Sequence, residues 1–160
     1  MERINKAGLT SATIGVPCNL ADKAWKNKLL SHGSDKDKKA FGSLLGISYY
    51  LKEADFEQLI MNISEIMTEG SVICFDYPSV DESAETRKTQ ILASEAGEQM
   101  KALYPYKEID MILDKYGFII EEHLDENDMT YRYFREYNQA NPMHQMNAPV
   151  GVGYVYAVKR

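Results

Sequence analysis

The chain has 160 residues, with 18 basic and 24 acidic side chains for a net charge of −6, and 44% of its residues are apolar or aromatic. That is one domain's length, able to bury roughly 70% of the surface its unfolded form exposes, so a core needs neither disulfides nor a metal. A mildly acidic chain with no basic block lacks the electrostatic footprint of a nucleic-acid or anionic-membrane binder, and no apolar run approaches the roughly 20 residues of a membrane span.

The N-terminal Met1-Glu2-Arg3-Ile4-Asn5-Lys6 is charged and polar rather than a secretory leader, and a cytoplasmic protein is expected. Thr13-Ile14-Gly15-Val16-Pro17-Cys18 reads as a short buried strand stopped by proline. Asp22 to Ser31 carries Trp25, Leu29 and Leu30 at helical spacing and is closed by Gly33. The run Ser34 to Lys39 is a solvated loop, and Ala40 to Tyr50 reads as a second buried strand.

From Lys52 to Thr68 the apolar residues Phe56, Leu59, Ile60, Ile63, Ile66 and Met67 recur every three or four positions, the clearest helix in the chain. Gly70 stops it, and Ser71 to Phe75 predicts a third strand that delivers Asp76-Tyr77-Pro78 to its carboxyl end. A polar helix is expected over Glu82 to Met100, another over Tyr106 to Tyr116 stopped by Gly117, and a fourth strand over Phe118 to His123. A weaker helix spans Glu126 to Tyr137, with Asp125, Glu126 and Asp128 as helix-start residues, and Tyr154 to Val158 closes the chain as a strand.

Strands alternating with amphipathic helices predict an α/β domain with a mostly parallel sheet covered on both faces. Ligands of such sheets bind beyond the carboxyl ends of the strands, here Cys18-Asn19, Gly46 to Leu51 and Asp76-Tyr77. No nucleotide-binding glycine motif, phosphate loop, zinc signature or nucleophile elbow is present. Cys18 and Cys74 read as buried thiols, and His32, His123 and His144 as surface or strand-end residues; no metal site is expected.

The stretch Phe41-Gly42-Ser43-Leu44-Leu45-Gly46-Ile47-Ser48-Tyr49-Tyr50-Leu51, then a helix, then Gly70 to Phe75 and Asp76-Tyr77-Pro78, resembles the fourth- and fifth-strand region of the leucine carboxyl methyltransferase family. Val16-Pro17-Cys18-Asn19-Leu20 with Trp25 is similar to that family's third-strand segment, and Asp128-Met129-Thr130-Tyr131-Arg132-Tyr133-Phe134 to its C-terminal motif. The resemblance runs along essentially the whole chain. It implies a Rossmann-like class I methyltransferase sheet of order 3-2-1-4-5-7-6, last strand antiparallel, of which this chain is the C-terminal portion with strands 3 to 7.

The family's first strand, its glycine-rich cofactor loop and its ribose-binding acid have no counterpart here. Unpaired buried backbone groups cost about 1 to 3 kcal/mol each, so strands 4-5-7-6 are expected to form a sheet while Thr13 to Pro17 docks irregularly or pairs with another chain. The implied cofactor is S-adenosylmethionine, with Asn19, Leu20, Leu45 and Gly46 as its binding residues. Asn19 stands where the family has an aspartate that accepts the adenine amino group, and Leu45 where relatives have a glutamate. Tyr49, Tyr50 and Arg132 are the candidate substrate-pocket residues, with Arg135 a second arginine able to meet a carboxylate.

The implied activity is O-methylation of a small molecule or carboxylate. The methyl acceptor is the expected partner, with a homodimer or a missing N-terminal half as protein partner. The alternative is a catalytically incomplete remnant, an interaction subunit that uses an exposed sheet edge.

Overall fold

A computed structural model of the chain describes residues 14–20, 22, 24–80 and 100–160. Among these, helix α1 (Trp25–Ser31) precedes strand β1 (Phe41–Leu44), a 3-10 turn (Ser48–Tyr50), helix α2 (Glu53–Ile66) and strand β2 (Val72–Pro78). Helix α3 (Tyr106–Lys115) and strand β3 (Phe118–Leu124) follow, then a broken helix and the last strand, β4 (Val152–Lys159). The broken helix is α4 (Glu126–Met129), one π-helical stretch (Thr130–Phe134) and α5 (Arg135–Ala140).

The four strands form one sheet in the order β1-β2-β4-β3, with β1 parallel to β2 and β4 antiparallel to both of its neighbours. This is the 4-5-7-6 part of the expected order, with the last strand reversed. The sheet is therefore mixed rather than mostly parallel, because β4 runs back between β2 and β3. No described helix is long and apolar enough to cross a membrane.

The apolar stripe of α2 explains where the core lies. Phe56, Leu59, Ile60 and Ile63 pack with Ile109, Ile112 and Leu113 of α3 against one face of the sheet, where Ile73, Phe75, Tyr77, Val155 and Ala157 point inward. Tilted aromatic pairs, Phe56 with Phe75 at 5.6 Å and with Tyr104 at 5.2 Å, tie the helix to β2 and to the segment before α3. On the opposite face Cys74 and Asp76 are half-buried and Tyr156 is 40% exposed, so one face is covered by described helices instead of two.

Several sequence expectations change in the fold. Residues 14–18 form no strand: among the described residues nothing offers them a ladder, so the described part of the strand expected from Thr13 to Cys18 lies irregularly and Cys18 is exposed instead of buried. The buried strand expected over Ala40 to Tyr50 is only four residues long. Gly46, at φ +67°, turns the chain out of the sheet and the Ser48–Tyr50 turn follows.

The long helix is Glu53–Ile66, and the weak C-terminal helix is present but broken by its π-helical stretch. Asp125 caps it, accepting the amides of Asn127 and Asp128, as its position suggested. The helix expected over Glu82 to Met100 falls almost wholly on residues 81–99, outside the described residues.

Candidate functional site

The carboxyl ends of β1 and β2 lie side by side, because Leu44 pairs with Phe75 in the parallel register. Asp76 is therefore the first side chain beyond that pair, on the open face of the sheet, while the β1 chain turns away at Gly46. The Gly46 amide donates to Asp76 Oδ1 at 2.6 Å, and the Ser48 hydroxyl donates to the Asp76 backbone carbonyl at 2.7 Å. The Tyr49 hydroxyl reaches toward Asp76 Oδ2 at 3.4 Å. Thus Asp76 holds the turn after β1 through both its carboxylate and its backbone carbonyl.

The electrostatics centre on the same group. Burial, then the Asp76 charge, pushes the Tyr49 phenol well above its usual value, and the Tyr154 phenol rises for the same two reasons in the same order. Tyr154 is there because Asp76 of β2 pairs directly with it across the antiparallel register to β4. The Cys74 thiol is also raised, by burial first and then by Asp76 and Glu122, which keeps it protonated and a poor nucleophile. Among the described residues no cation pairs with Asp76.

From Asp76 the open face of the sheet continues into a groove of about 390 Å³, lined by Leu45, Cys74, Glu122, Tyr133, Tyr154 and Tyr156. Its volume suits a small ligand and its walls are mostly apolar. A larger hollow of about 830 Å³ lies between the π-helical stretch and the loop before β4, with Tyr131, Arg135 and Asn147 on its walls. No described set of three or more His, Cys, Asp or Glu side chains is placed to hold a metal.

The sequence-predicted residues divide accordingly. Gly46, Tyr49 and Leu45 gather around Asp76 and the head of the groove, with Leu45 60% exposed and Tyr50 42% exposed beside them. Asn19 and Leu20 lie on the irregular segment before α1. The Asn19 backbone carbonyl accepts the Asp22 amide, and Leu20 lines an apolar slot of about 280 Å³ with Trp25 and the β1 residues Phe41 to Leu44.

Arg132 meets the groove through one of its wall residues. Its guanidinium is paired with Glu122 and lies 5.9 Å from the centre of the Tyr133 ring. Arg135 donates to the Tyr131 hydroxyl at 2.8 Å and lies over that ring. Asp76 and Tyr154 received no role in the sequence reading. The signal for Asp76 was its place at a strand's carboxyl end, whereas Tyr154 carried none, since its position depends on strand pairing.

Comparison with known proteins places these features. Residues 2–64 match the model of the leucine carboxyl methyltransferase family, a shorter stretch than the whole-chain resemblance read from the motifs. Over 153 residues the chain is 33% identical to YktD of Bacillus subtilis strain 168, a protein assigned to the S-adenosyl-L-methionine-dependent methyltransferases. The match covers 91% of this chain and 48% of YktD, so the chain spans about half the length of this relative.

Two solved structures share the fold. A DUF574 family protein from Streptomyces avermitilis superposes with a TM-score of 0.64 at 11% identity, over 89% of this chain and 53% of that one. The mitomycin 7-O-methyltransferase MmcR superposes with a TM-score of 0.57 at 14% identity, over 99% of this chain and 38% of that one.

Proposed function

The chain resembles the leucine carboxyl methyltransferase family through residues 2–64, and from that we propose that it is the C-terminal portion of an S-adenosylmethionine-dependent methyltransferase acting on an oxygen of a small molecule or carboxylate. The observation that carries the reading is the 33% identity with YktD along nearly the whole chain, YktD being assigned to that enzyme class. The sheet order supports it, and so does the fold shared with an O-methyltransferase. Nothing comparable supports an interaction subunit built on the open sheet edge.

The residues carried over for the cofactor stand in two places, Leu45 on the groove of the open face and Leu20 in the slot beside Trp25, and Gly46 is the one with open space before it. A Cβ built on Gly46 meets nothing within 4 Å, and its φ of +67° turns the backbone toward open space beyond β1, where a ligand can approach closely. In this proposal Asn19 is the adenine-side residue by its place in the family's pattern, an amide being able to accept an amino group's hydrogen, while Leu20 and Leu45 line separate hollows. Binding groups for the ribose and the methionine end are not assigned to this chain in the proposal. Bound, S-adenosylmethionine supplies an electrophilic methyl group on a positively charged sulfur.

What the chain's own residues contribute is position and dryness. Methyl transfer is an in-line displacement that depends on alignment and on exclusion of water more than on a catalytic dyad. Asp76 fixes the turn at Gly46, and Tyr49, Tyr154 and Leu45 surround the space next to it. Calorimetric titration of S-adenosylhomocysteine into the chain, with its oligomeric state measured on the same sample, tests the reading. Micromolar binding is expected, and absence of heat at millimolar ligand would refute a cofactor site on these residues.

A further inference from the structure

Beyond the methyltransferase reading, and independently of it, we infer that the hollow between the broken helix and the loop before β4 is a ligand site in its own right. It takes a small hydroxyl-rich molecule carrying one carboxylate, a ligand of the sugar-acid class. The volume of about 830 Å³ lies within the roughly 300 to 1,000 Å³ of small-molecule sites. Asn127, Tyr131, Arg135 and Gln139 of the broken helix form one wall, and Gln145 and Asn147 of the loop form the other.

The two walls are held together by the fold. The Ala148 amide donates to the Thr130 hydroxyl at 2.9 Å, and Asn138 bonds both the amide and the carbonyl of Met146, so the loop is tied to the helix at two points. The π-helical stretch Thr130–Phe134 supplies part of the helix wall, and such stretches are frequent at functional sites.

Arg135 provides the anion contact. It lines the hollow, no described carboxylate pairs with it, and its guanidinium gives one N–H to the Tyr131 hydroxyl at 2.8 Å. Its other N–H donors remain, and the Tyr131 ring, with its centre 4.9 Å away, orients the planar fork that receives a carboxylate bidentately.

The rest of the polar wall suits hydroxyls. The carboxamides of Asn127, Gln139, Gln145 and Asn147 make no hydrogen bond to another described residue, and a carboxamide both donates and accepts, as a hydroxyl does. Glu126, at the start of the broken helix, also lines the hollow. Its carboxylate accepts a ligand hydroxyl and repels a second negative group, so one arginine against one glutamate limits the ligand to a single charge.

D-Glucuronate, D-glucose and hexanoate, titrated separately into the ¹⁵N-labelled chain, test the inference. The Arg135 and Asn147 amides are the reporters, and the β2 amides control for the fold. Glucuronate is expected to shift both reporters and to bind about tenfold more tightly than glucose, which lacks the charge, and than hexanoate, which lacks the hydroxyls. Arg135→Gln stays polar and loses the charge, so it should weaken glucuronate about tenfold and leave glucose unchanged. Asn147→Ala, on the opposite wall, should weaken both.

Glucose or hexanoate binding as tightly as glucuronate would overturn the inference, as would reporters unmoved by all three ligands. Glucuronate indifferent to Arg135→Gln, with the β2 amides in place, would do the same. Where that variant disturbs the helix, glucuronate indifferent to Asn147→Ala overturns the inference from the loop side. S-adenosylhomocysteine binding is read in a separate titration, so failure of either reading leaves the other standing.

Discussion

Gly153 of β4 faces Tyr77 of β2 across the antiparallel register, and the space a side chain would occupy there is filled by the Tyr77 ring. A Cβ added to Gly153 would lie 2.4 Å from Cζ of that ring. Tyr77 is 1% exposed, and its hydroxyl is 2.9 Å from His123 Nε2, so this one missing side chain lets β2, β4 and β3 share an aromatic contact.

Gly153→Ala is therefore an overpacking change in a buried position, expected to cost about 1–3 kcal/mol and to displace the Tyr77 ring. Urea denaturation measures the loss, and the Tyr77–His123 contact should disappear from the imidazole resonances. An unchanged midpoint would show that β4 can move away from β2 freely.

Gly46→Ala tests a different cost. Space is open around its Cβ, so only the left-handed backbone at φ +67° opposes the change, at about 1–2 kcal/mol. The same change should loosen the amide that donates to Asp76, which hydrogen exchange at residue 46 reads directly.

Glu108 in the first turn of α3 is held protonated by its hydrogen bond to Glu53 and then by burial, so its carboxyl is raised from 4.5 to about 7. The fold binds this proton more tightly than the unfolded chain does. Its contribution to stability is present below pH 4.5 and is lost as pH rises through 7. Glu108→Gln should match the parent chain at pH 4 and exceed it at pH 8, measured by denaturation at both.

His123 has the opposite sign. Burial lowers it from 6.5, against the smaller upward pull of Asp125 and Asp128, so the unfolded chain binds this proton more tightly. Its contribution is complete above pH 6.5 and is lost as pH falls through the lowered value. Because Glu108 changes in the other direction, the comparison belongs in the Glu108→Gln chain, where adding His123→Phe should flatten the acid-side loss. A slope that persists would assign it to another group.

Asn138 makes two hydrogen bonds to Met146, donating to its carbonyl and accepting its amide, each at 2.8 Å, and so straps the loop before β4 onto α5. Asn138→Ala should cost about 1–3 kcal/mol and speed proteolysis and amide exchange around Met146 while leaving the sheet amides protected. Equal exchange rates in both chains would show that Ala148, bonded to the Thr130 hydroxyl, holds the loop by itself.

Features set by neighbours along the chain are legible in the order of the residues. The spacing from Phe56 to Ile63 makes α2 and turns its apolar side to the sheet, Gly117 follows the end of α3 at positive φ, and Asp125 caps the next helix because its side chain reaches amides two and three residues on, whereas α2 stops at Ile66 with Met67 already extended, four residues before the Gly70 expected to stop it. The same order delivered Gly46 and Tyr49 to the carboxyl end of a strand.

What meets there depends on contacts between distant parts of the chain. Gly46 and Asp76 are 30 positions apart, and Tyr154 joins them through the register of an antiparallel strand that no local pattern specifies. Arg132 meets Glu122 of the groove wall for the same reason. Residues 14–18 had the composition of a strand and do not form one here, since a strand, unlike a helix, needs its hydrogen-bond partners from another part of a chain.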